Sequence, residues 1–222
     1  MNAIDQHFFT HFQTRKIQQF TIDGPIDQTS WQTQAPRILF FLKENYGYQN
    51  EGIMRIGDYA PGWLADRNKT YVKIVTLAET VFQAVQRGSL LSRGENDTLS
   101  TTTDLQAALR KIAVLNIKKH SGESTSDDSE IREESYANAT LLRQQIAALS
   151  PTVIVAGGTV CWHSLVYDTG LSKELHDNPK GTATVANGVV LCHAYHPSAR
   201  SSGAFDIYGI HAMICGKLGS SH

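Results

Sequence analysis

The chain has few cysteines, and no two of them are close together. Cys161, Cys192 and Cys215 are the only three in 222 residues, and their number is odd. No CxxC pair occurs, which argues against a zinc ribbon or an iron–sulfur cluster. Free cysteines usually behave as small hydrophobic residues. We therefore expect buried thiols, no metal and no other cofactor.

Long hydrophobic runs are also absent. No apolar stretch approaches the ~20 residues that a membrane-spanning helix needs. The N-terminal segment MNAIDQHFFTHFQTRK lacks the basic-then-apolar order of a signal peptide. The composition, 41% hydrophobic and 18% charged, is ordinary for a globular protein. These features predict a soluble, cytoplasmic protein of one domain, which we expect to be monomeric and to have no membrane partner.

An excess of positive charge is missing as well, since the formal net charge is −1. Six acids and one Arg fall in residues 121–135 (SGESTSDDSEIREES), which leaves 19 basic and 15 acidic residues elsewhere. This balance disfavours a simple polyanion binder. It still allows a local basic face, which is what a protein acting briefly on DNA needs. We interpret the acidic stretch as a solvated loop that leads into a helix.

Apolar runs of strand length alternate with segments of helical periodicity. Strands are predicted at 37–42, 111–117, 152–158 and 189–195, the last after a hairpin turn at Asn187-Gly188. Helices are predicted at 8–20, 70–87, 103–111, 131–149, 159–168 and 204–217. This order is typical of a three-layer α/β/α sandwich with a central, mostly parallel, four-stranded sheet. Residues 1–36 form an N-terminal helix and connection, and residues 37–217 form the core.

Two stretches are expected to be irregular. Residues 43–68 are rich in glycine, asparagine and aromatic residues, and loops of this length are usually functional. Residues 88–103 are polar, and Gly88 is expected to end the helix before them. The helix after them should begin with Thr103 or Asp104 as its N-cap.

Four segments follow the predicted strands and should meet in space. Ligands of open α/β sheets bind beyond the carboxyl ends of the strands. The segments there are KENYG (43–47), NIKK (116–119), Gly157-Gly158 and HPSAR (196–200). The glycine pair indicates tight strand–helix geometry rather than a phosphate cradle.

These segments resemble the motif set of the uracil-DNA glycosylase superfamily, over residues 37–217. KENYG takes the place of the first motif, known in forms such as GQDPY, GEAPG or GINPG. Glu44 then matches the carboxylate of the GEAPG form, and Asn45 matches the Asp or Asn of the other two. AVLNIKK resembles the strand that ends in Asn before Lys, PTVIVAGG the apolar strand that ends in Gly, and HPSAR the His-Pro-Ser motif. Lys43 and Tyr46 replace the usual Gly and Pro, so the resemblance is to a divergent member.

The resemblance implies a monofunctional DNA glycosylase that flips a pyrimidine out of the helix and hydrolyses its N-glycosidic bond. A carboxylate or amide near the sugar, Glu44 or Asn45, would stabilise the positive charge that develops there. His196 would donate a hydrogen bond to the departing base, and Asn116 would read the base edge. Stacking residues are expected among Tyr46, Tyr59 and Trp63, and DNA-backbone contacts from Lys43, Lys118, Lys119, Ser198 and Arg200.

The base itself is left open by the first motif. In strict uracil enzymes a Tyr at the position of Gly47 excludes substituents on C5 of the pyrimidine. The resemblance therefore allows uracil or a C5-modified cytosine, and some similar members act on glucosylated hydroxymethylcytosine in phage defence. Two other functions stay open: a non-catalytic sensor of modified DNA, and a hydrolase of free nucleosides or nucleotide sugars. Lys43 as a Schiff-base nucleophile is a further alternative.

Overall fold

The computed structural model describes residues 3–14, 19–46, 52–102, 105–122, 126–199 and 205–219. Its α-helices are α1 (Ala3–Thr14), α2 (Gln28–Thr33), α3 (Ile56–Ala65), α4 (Lys69–Arg87), α5 (Arg93–Thr102), α6 (Leu105–Arg110), α7 (Asp128–Leu149), α8 (Thr159–His163) and α9 (Ile207–Gly219). Its strands are β1 (Gln19–Ile22), β2 (Gly24–Pro25), β3 (Ile38–Leu42), β4 (Asn45–Tyr46), β5 (Gly52–Arg55), β6 (Ala113–Asn116), β7 (Ser121–Gly122), β8 (Val153–Gly157), β9 (Thr182–Ala186) and β10 (Val189–Ala194).

A six-stranded mixed sheet forms the centre of the fold, in the order β2-β6-β3-β8-β10-β9. The four middle strands β6, β3, β8 and β10 run parallel to one another. Both edge strands are antiparallel to their neighbours. Two short parallel pairs, β1 with β5 and β4 with β7, lie outside this sheet. The carboxyl ends of four strands therefore lie along one edge.

Hydrophobic side chains cover both faces of the sheet. Along β3, Ile38, Phe40 and Leu42 pack on one face with α3, α4, α6 and α9. Leu39 and Phe41 point to the opposite face, where they pack with α1, α2, α7 and α8. All five side chains are buried, which is why the strand reads as a continuous apolar run. Burial on both faces gives the three layers that the alternation of elements predicts.

The predicted sheet was right in its centre and wrong at its edges. All four predicted strands are present, and the turn at Asn187-Gly188 joins β9 to β10 with both residues at positive φ. The predicted count of four strands is too low, since β2 and β9 add antiparallel edges. β2 has only two residues, and β9 is only partly buried, so neither shows the apolar run of a central strand.

Several predicted boundaries also need correction. The helix predicted over residues 8–20 ends at Thr14, and Phe20 lies in β1. Residues 43–68 are not one irregular loop, because they contain β4, β5 and α3. Residues 93–102 form α5 where an irregular segment was expected. The predicted N-caps Thr103 and Asp104 lie outside the described residues.

No helix in the described ranges combines the length and the apolar character needed to cross a membrane.

Gly88 ends α4 as predicted, in a left-handed conformation at φ 69°. Its N–H bonds back to carbonyls of the last turn, and a non-glycine residue is strained there. Gly88→Ala should therefore lower the free energy of unfolding by about 1–2 kcal/mol. Gly94 is the matched control, because it lies within α5, without positive φ and with open space around its Cα. Chemical denaturation should show Gly94→Ala to be neutral or slightly stabilising; equal destabilisation by both would contradict this account.

Candidate active site at the carboxyl ends of the strands

One pocket of about 250 Å³ opens at the carboxyl edge of the sheet. Glu44 and Asn45 enter it from the segment after β3, Asn116 from the end of β6, and His196 from the segment after β10. The remaining lining residues are Leu42, Trp63, Asn68, Lys69, Thr70, Tyr71, Ser126 and Ser198. The structure thus brings together the four polar residues that the strand-end motifs single out.

Backbone hydrogen bonds continue the pairing of β3 and β6 past the ends of both strands. The N–H of Ile117 donates to the carbonyl of Leu42 at 3.0 Å, and that of Lys118 donates to the carbonyl of Lys43 at 2.9 Å. Beyond these bonds, β4 pairs in parallel with β7, with Asn45 opposite Ser121. The first and second motifs are therefore held side by side by main-chain bonds.

The Glu44 carboxylate is buried in an ion-pair chain. Lys118 Nζ lies 3.1 Å from Glu44 Oε2 and 2.8 Å from Glu130 Oε2 on α7, and the Glu44 side chain is 4% exposed. Burial alone would lower the pKa of Lys118, but its hydrogen bonds to Glu130 and Glu44 outweigh this and raise it. Lys118 therefore stays charged beside Glu44. The other carboxylate oxygen, Oε1, is buried without a hydrogen-bond partner among the described residues.

Gly122 packs directly against that carboxylate, a contact that no sequence motif predicts. A Cβ built on Gly122 would overlap Glu44 Oε2, so only glycine fits with Glu44 in its present position. The contact follows from the pairing of β4 with β7, in which Gly122 is the partner of Tyr46. Gly122 thereby fixes where the Glu44 carboxylate lies.

The two asparagines of the pocket form a hydrogen-bonded pair. Asn116 Nδ2 donates to Asn45 Oδ1 at 3.2 Å, and both side chains are buried. Asn45 Nδ2 and Asn116 Oδ1 have no hydrogen-bond partner in the described structure. The pair therefore offers a ligand one donor and one acceptor, which suits the edge of a nucleobase. This places Asn45 with Asn116, while Glu44 supplies the carboxylate of the first motif.

His196 presents a neutral ring with its proton on Nε2. Burial is the main reason that its pKa is lowered from 6.5 to about 4, and the charges of Lys43 and Lys73 lower it further. The backbone N–H of Ser198 donates to His196 Nδ1 at 3.2 Å, and Ser198 Oγ lies 2.8 Å from the same atom. Because a backbone N–H can only donate, Nδ1 accepts, and the ring proton of the neutral form is on Nε2.

Gly157 makes room for the segment that carries His196. A Cβ at Gly157 would lie 2.7 Å from Leu42 Cδ2, 3.3 Å from Pro197 Cδ and 3.5 Å from His196 Cδ2. The adjacent Gly158 has φ 106° and caps α8. The interpretation of this glycine pair as tight strand–helix geometry is therefore confirmed.

Aromatic rings form one wall of the pocket. Trp63 lines it, and its ring lies 5.1 Å from that of Tyr71 and 6.3 Å from that of Tyr59. Tyr59 thus supports Trp63 rather than lining the pocket. Burial raises the pKa of Tyr71, so its hydroxyl remains a proton donor, and it has no hydrogen-bond partner in the described structure.

The start of α4 forms the rim, which sequence reasoning missed. Asn68 caps the helix by accepting from the N–H of Thr70 and of Tyr71, and Lys69 and Thr70 line the pocket. An asparagine directly before a periodic helix is an N-cap signal, so the cap could have been found. That it faces the pocket depends on how α4 packs on the sheet.

Of the three lysines predicted to contact phosphate, Lys119 was predicted wrongly, and the other two have carboxylate partners within the protein. Lys119 is completely buried against Asp23, with its Nζ 2.7 Å from Oδ1, and cannot reach DNA from there. Lys118 is buried between Glu44 and Glu130, so its charge serves the pocket. Lys43 is 20% exposed and pairs with Asp128 at 2.6 Å. Lys43 does not line the pocket, and this position argues against its role as a Schiff-base nucleophile there.

Three predicted site residues lie wholly or partly outside what the structure describes. Gly47 and Arg200 lie outside the described residues, and Tyr46 is described only by its backbone in β4. Ser198 is exposed at the rim, where it contacts His196.

A second, larger groove of about 800 Å³ contains no charged side chain. It is lined mainly by small and apolar residues, among them Val85, Leu90, Val190 and Leu218. Burial raises the pKa of its one thiol, Cys215, to about 11, so that thiol stays protonated. Within the described ranges, no group of three His, Cys, Asp or Glu side chains could hold a metal ion. The polar pocket is therefore the better candidate for chemistry.

No protein-family model matches the chain, and comparison with curated proteins finds no match either. The resemblance to the uracil-DNA glycosylase superfamily therefore stays a prediction from the motifs.

The state of His196 can be measured directly. We expect its ring to remain neutral, with the proton on Nε2, until the pH falls to about 4, since burial disfavours the cation. The unfolded chain binds this proton near pH 6.5, so the group should reduce the stability of the fold as the pH falls from 6.5 towards 4. ¹⁵N NMR of the labelled imidazole checks the state of the ring, and chemical denaturation at pH values between 7 and 5 checks the stability; titration of His196 near 6.5 would contradict both expectations.

Proposed function

We propose that the chain is a DNA glycosylase that hydrolyses the N-glycosidic bond of a flipped pyrimidine and leaves an abasic site. The observation that carries this proposal is the meeting of Glu44, Asn45, Asn116 and His196 in one pocket. At about 250 Å³, the pocket is smaller than the ~300–1,000 Å³ that drug-sized ligands occupy, which suits a single base. The four parallel central strands also suit the uracil-DNA glycosylase fold.

Glu44 is assigned to the sugar side of the reaction. Cleavage leaves positive charge on the sugar, which a buried carboxylate stabilises more strongly than it would in water. Water oxygen bonds to C1′ as the C1′–N bond breaks, the bonding electrons leave with the base, and the proton that the water loses passes to Glu44 Oε1. Lys118 and Gly122 hold Oε2, and the unpaired Oε1 is free to orient the water.

His196 and the asparagine pair are assigned to the base. The Nε2–H of neutral His196 donates to the base oxygen on which negative charge develops. Because the ring is neutral, it can stabilise that oxygen by a hydrogen bond without transferring its proton to the base. Asn116 Oδ1 and Asn45 Nδ2 provide adjacent acceptor and donor groups for the base edge, and Trp63 provides an aromatic wall. The substrate base is uracil or a C5-modified cytosine, with Gly47 as the residue that allows the C5 group.

The proposal is tested with DNA strands that differ in one base. The purified protein is incubated with single- and double-stranded oligonucleotides that contain cytosine, uracil, hydroxymethylcytosine or glucosylated hydroxymethylcytosine. We expect alkali-labile abasic sites with at least one of them, and the released base is identified by mass. Tight binding without cleavage would instead indicate a sensor of modified DNA. Cleavage of free nucleosides alone would indicate a nucleoside hydrolase, and either result would overturn the proposal.

Glu44→Gln and His196→Ala should each lower the single-turnover cleavage rate by about 10²–10³-fold, the usual effect of losing one preorganised catalytic group. Stability should change little in Glu44→Gln, because Lys118 keeps its partner Glu130. Thermal unfolding of both variants provides the control. Wild-type rates in both would show that the site is assigned wrongly.

Gly122→Ala should impair cleavage although it substitutes no residue that touches the substrate. The added methyl displaces the Glu44 carboxylate from its place beside Lys118. A displacement of this kind costs up to about 100-fold in rate. Gly94→Ala, in open space on α5, is the matched control. If both variants cleave at the wild-type rate, the position of Glu44 does not limit the reaction.

A further inference from the structure

A fully buried ion pair lies behind the pocket, on the connection between β1 and β2. Asp23 Oδ1 accepts from Lys119 Nζ at 2.7 Å, and both side chains are 0% exposed. Lys119 Nζ also lies 5.1 Å from the centre of the Phe8 ring on α1. Burial raises the pKa of Asp23 and lowers that of Lys119, so each charge depends on the other.

Stability alone gives no reason for such a pair. Removing two charges from water costs several kcal/mol per ion, and the attraction between them often only balances that cost. Apolar residues of similar volume are frequently as stable or more stable in such places. We therefore look for the role of the charged pair in the other groups that it contacts.

The second oxygen of Asp23 holds the main chain at the pocket. Asp23 Oδ2 accepts from the backbone N–H of Asn116 at 2.5 Å. The same carboxylate thus binds the first and the last residue of the segment 116–119. Between them, the N–H groups of Ile117 and Lys118 bond to the segment after β3. The segment that carries Asn116 and Lys118 is fixed from two sides.

We propose that Asp23 is a positioning residue, which with Lys119 fixes Asn116 for contact with the base. The N-terminal segment then supports the active site from outside the pocket. Asp23 does not line the pocket and acts only through Asn116 and the segment that follows. This inference deepens the proposed function and depends on it for the nature of the ligand.

Two uncharged double variants separate the hydrogen bond to Asn116 from the charges. In Asp23→Asn with Lys119→Gln, an amide oxygen remains for the Asn116 N–H, and the two new amides can bond to each other. In Asp23→Leu with Lys119→Met, the volume is kept but the acceptor is lost. Thr80→Val with Asn96→Leu is the control, since it removes another buried hydrogen bond, of 2.6 Å, away from the pocket.

The first readout needs no substrate. In ¹⁵N NMR spectra, the backbone and side-chain amide signals of Asn116 should shift, and its backbone N–H should exchange faster, in the Leu/Met variant. In the Asn/Gln variant and the control they should stay close to the wild type. Unchanged Asn116 signals in a folded Leu/Met variant would overturn the inference. If the wild type cleaves no DNA, the proposed function fails while this readout still decides the positioning role.

The second readout is kinetic. The Leu/Met variant should lose up to about 100-fold in kcat/KM, whereas the Asn/Gln variant and the control should stay within about threefold of the wild type. Equal losses in both uncharged variants would assign the effect to charge and overturn the role of the hydrogen bond. If the Leu/Met variant does not fold, Asp23→Glu replaces it, because a longer arm keeps the charge but displaces the acceptor. Wild-type Asn116 signals and kinetics in Asp23→Glu would likewise contradict the proposal.

Discussion

Two backbone hydrogen bonds that continue the pairing of β3 and β6 beyond their ends determine the geometry of the pocket. They join Ile117 to Leu42 and Lys118 to Lys43. Because β3 and β6 are parallel, the segments that follow them leave the sheet at the same edge. The pairing of Asn45 with Asn116 and of Glu44 with Lys118 follows from this. A slip of one residue in this register would turn the side chains of the slipped segment to the other face and break both pairs.

The pocket is also where the fold leaves polar groups unsatisfied. Four buried side-chain atoms of this pocket, one each on Glu44, Asn45, Asn116 and Tyr71, have no hydrogen-bond partner in the described structure. Leaving a buried polar group unpaired costs about 1–3 kcal/mol. A fold that accepts this cost repeatedly in one place gains when a ligand supplies the missing partners. The chemistry of these atoms, two acceptors and two donors, describes a ligand that is itself polar.

The sequence predicts the parts of this structure that depend on local patterns. The four central strands are apolar runs, and the rule that ligands bind at strand ends correctly brings Glu44, Asn116 and His196 together. The features that the sequence does not predict depend on contacts between distant segments. Gly122 matters only because β7 pairs with β4, and Asp23 only because β2, which follows it, pairs with β6. Nor does periodicity predict α5, a helix of polar sequence (RGENDTLSTT).

The ion pairs around the pocket change the interpretation of its lysines. A lysine that neutralises phosphates must have its charge available, and affinity then falls steeply with salt. Lys43, Lys118 and Lys119 are already paired with Asp128, with Glu44 and Glu130, and with Asp23. They shape the site electrostatically instead, and Lys43 helps to keep His196 neutral. Lys69 lines the pocket, and the charge of Lys73 acts on His196 from the same helix. Neither lysine joins a carboxylate in the described structure, so α4 supplies positive charge at the rim. Under the proposed function, a chain of net charge −1 would depend on the fit of one base in the pocket more than on attraction to the DNA backbone.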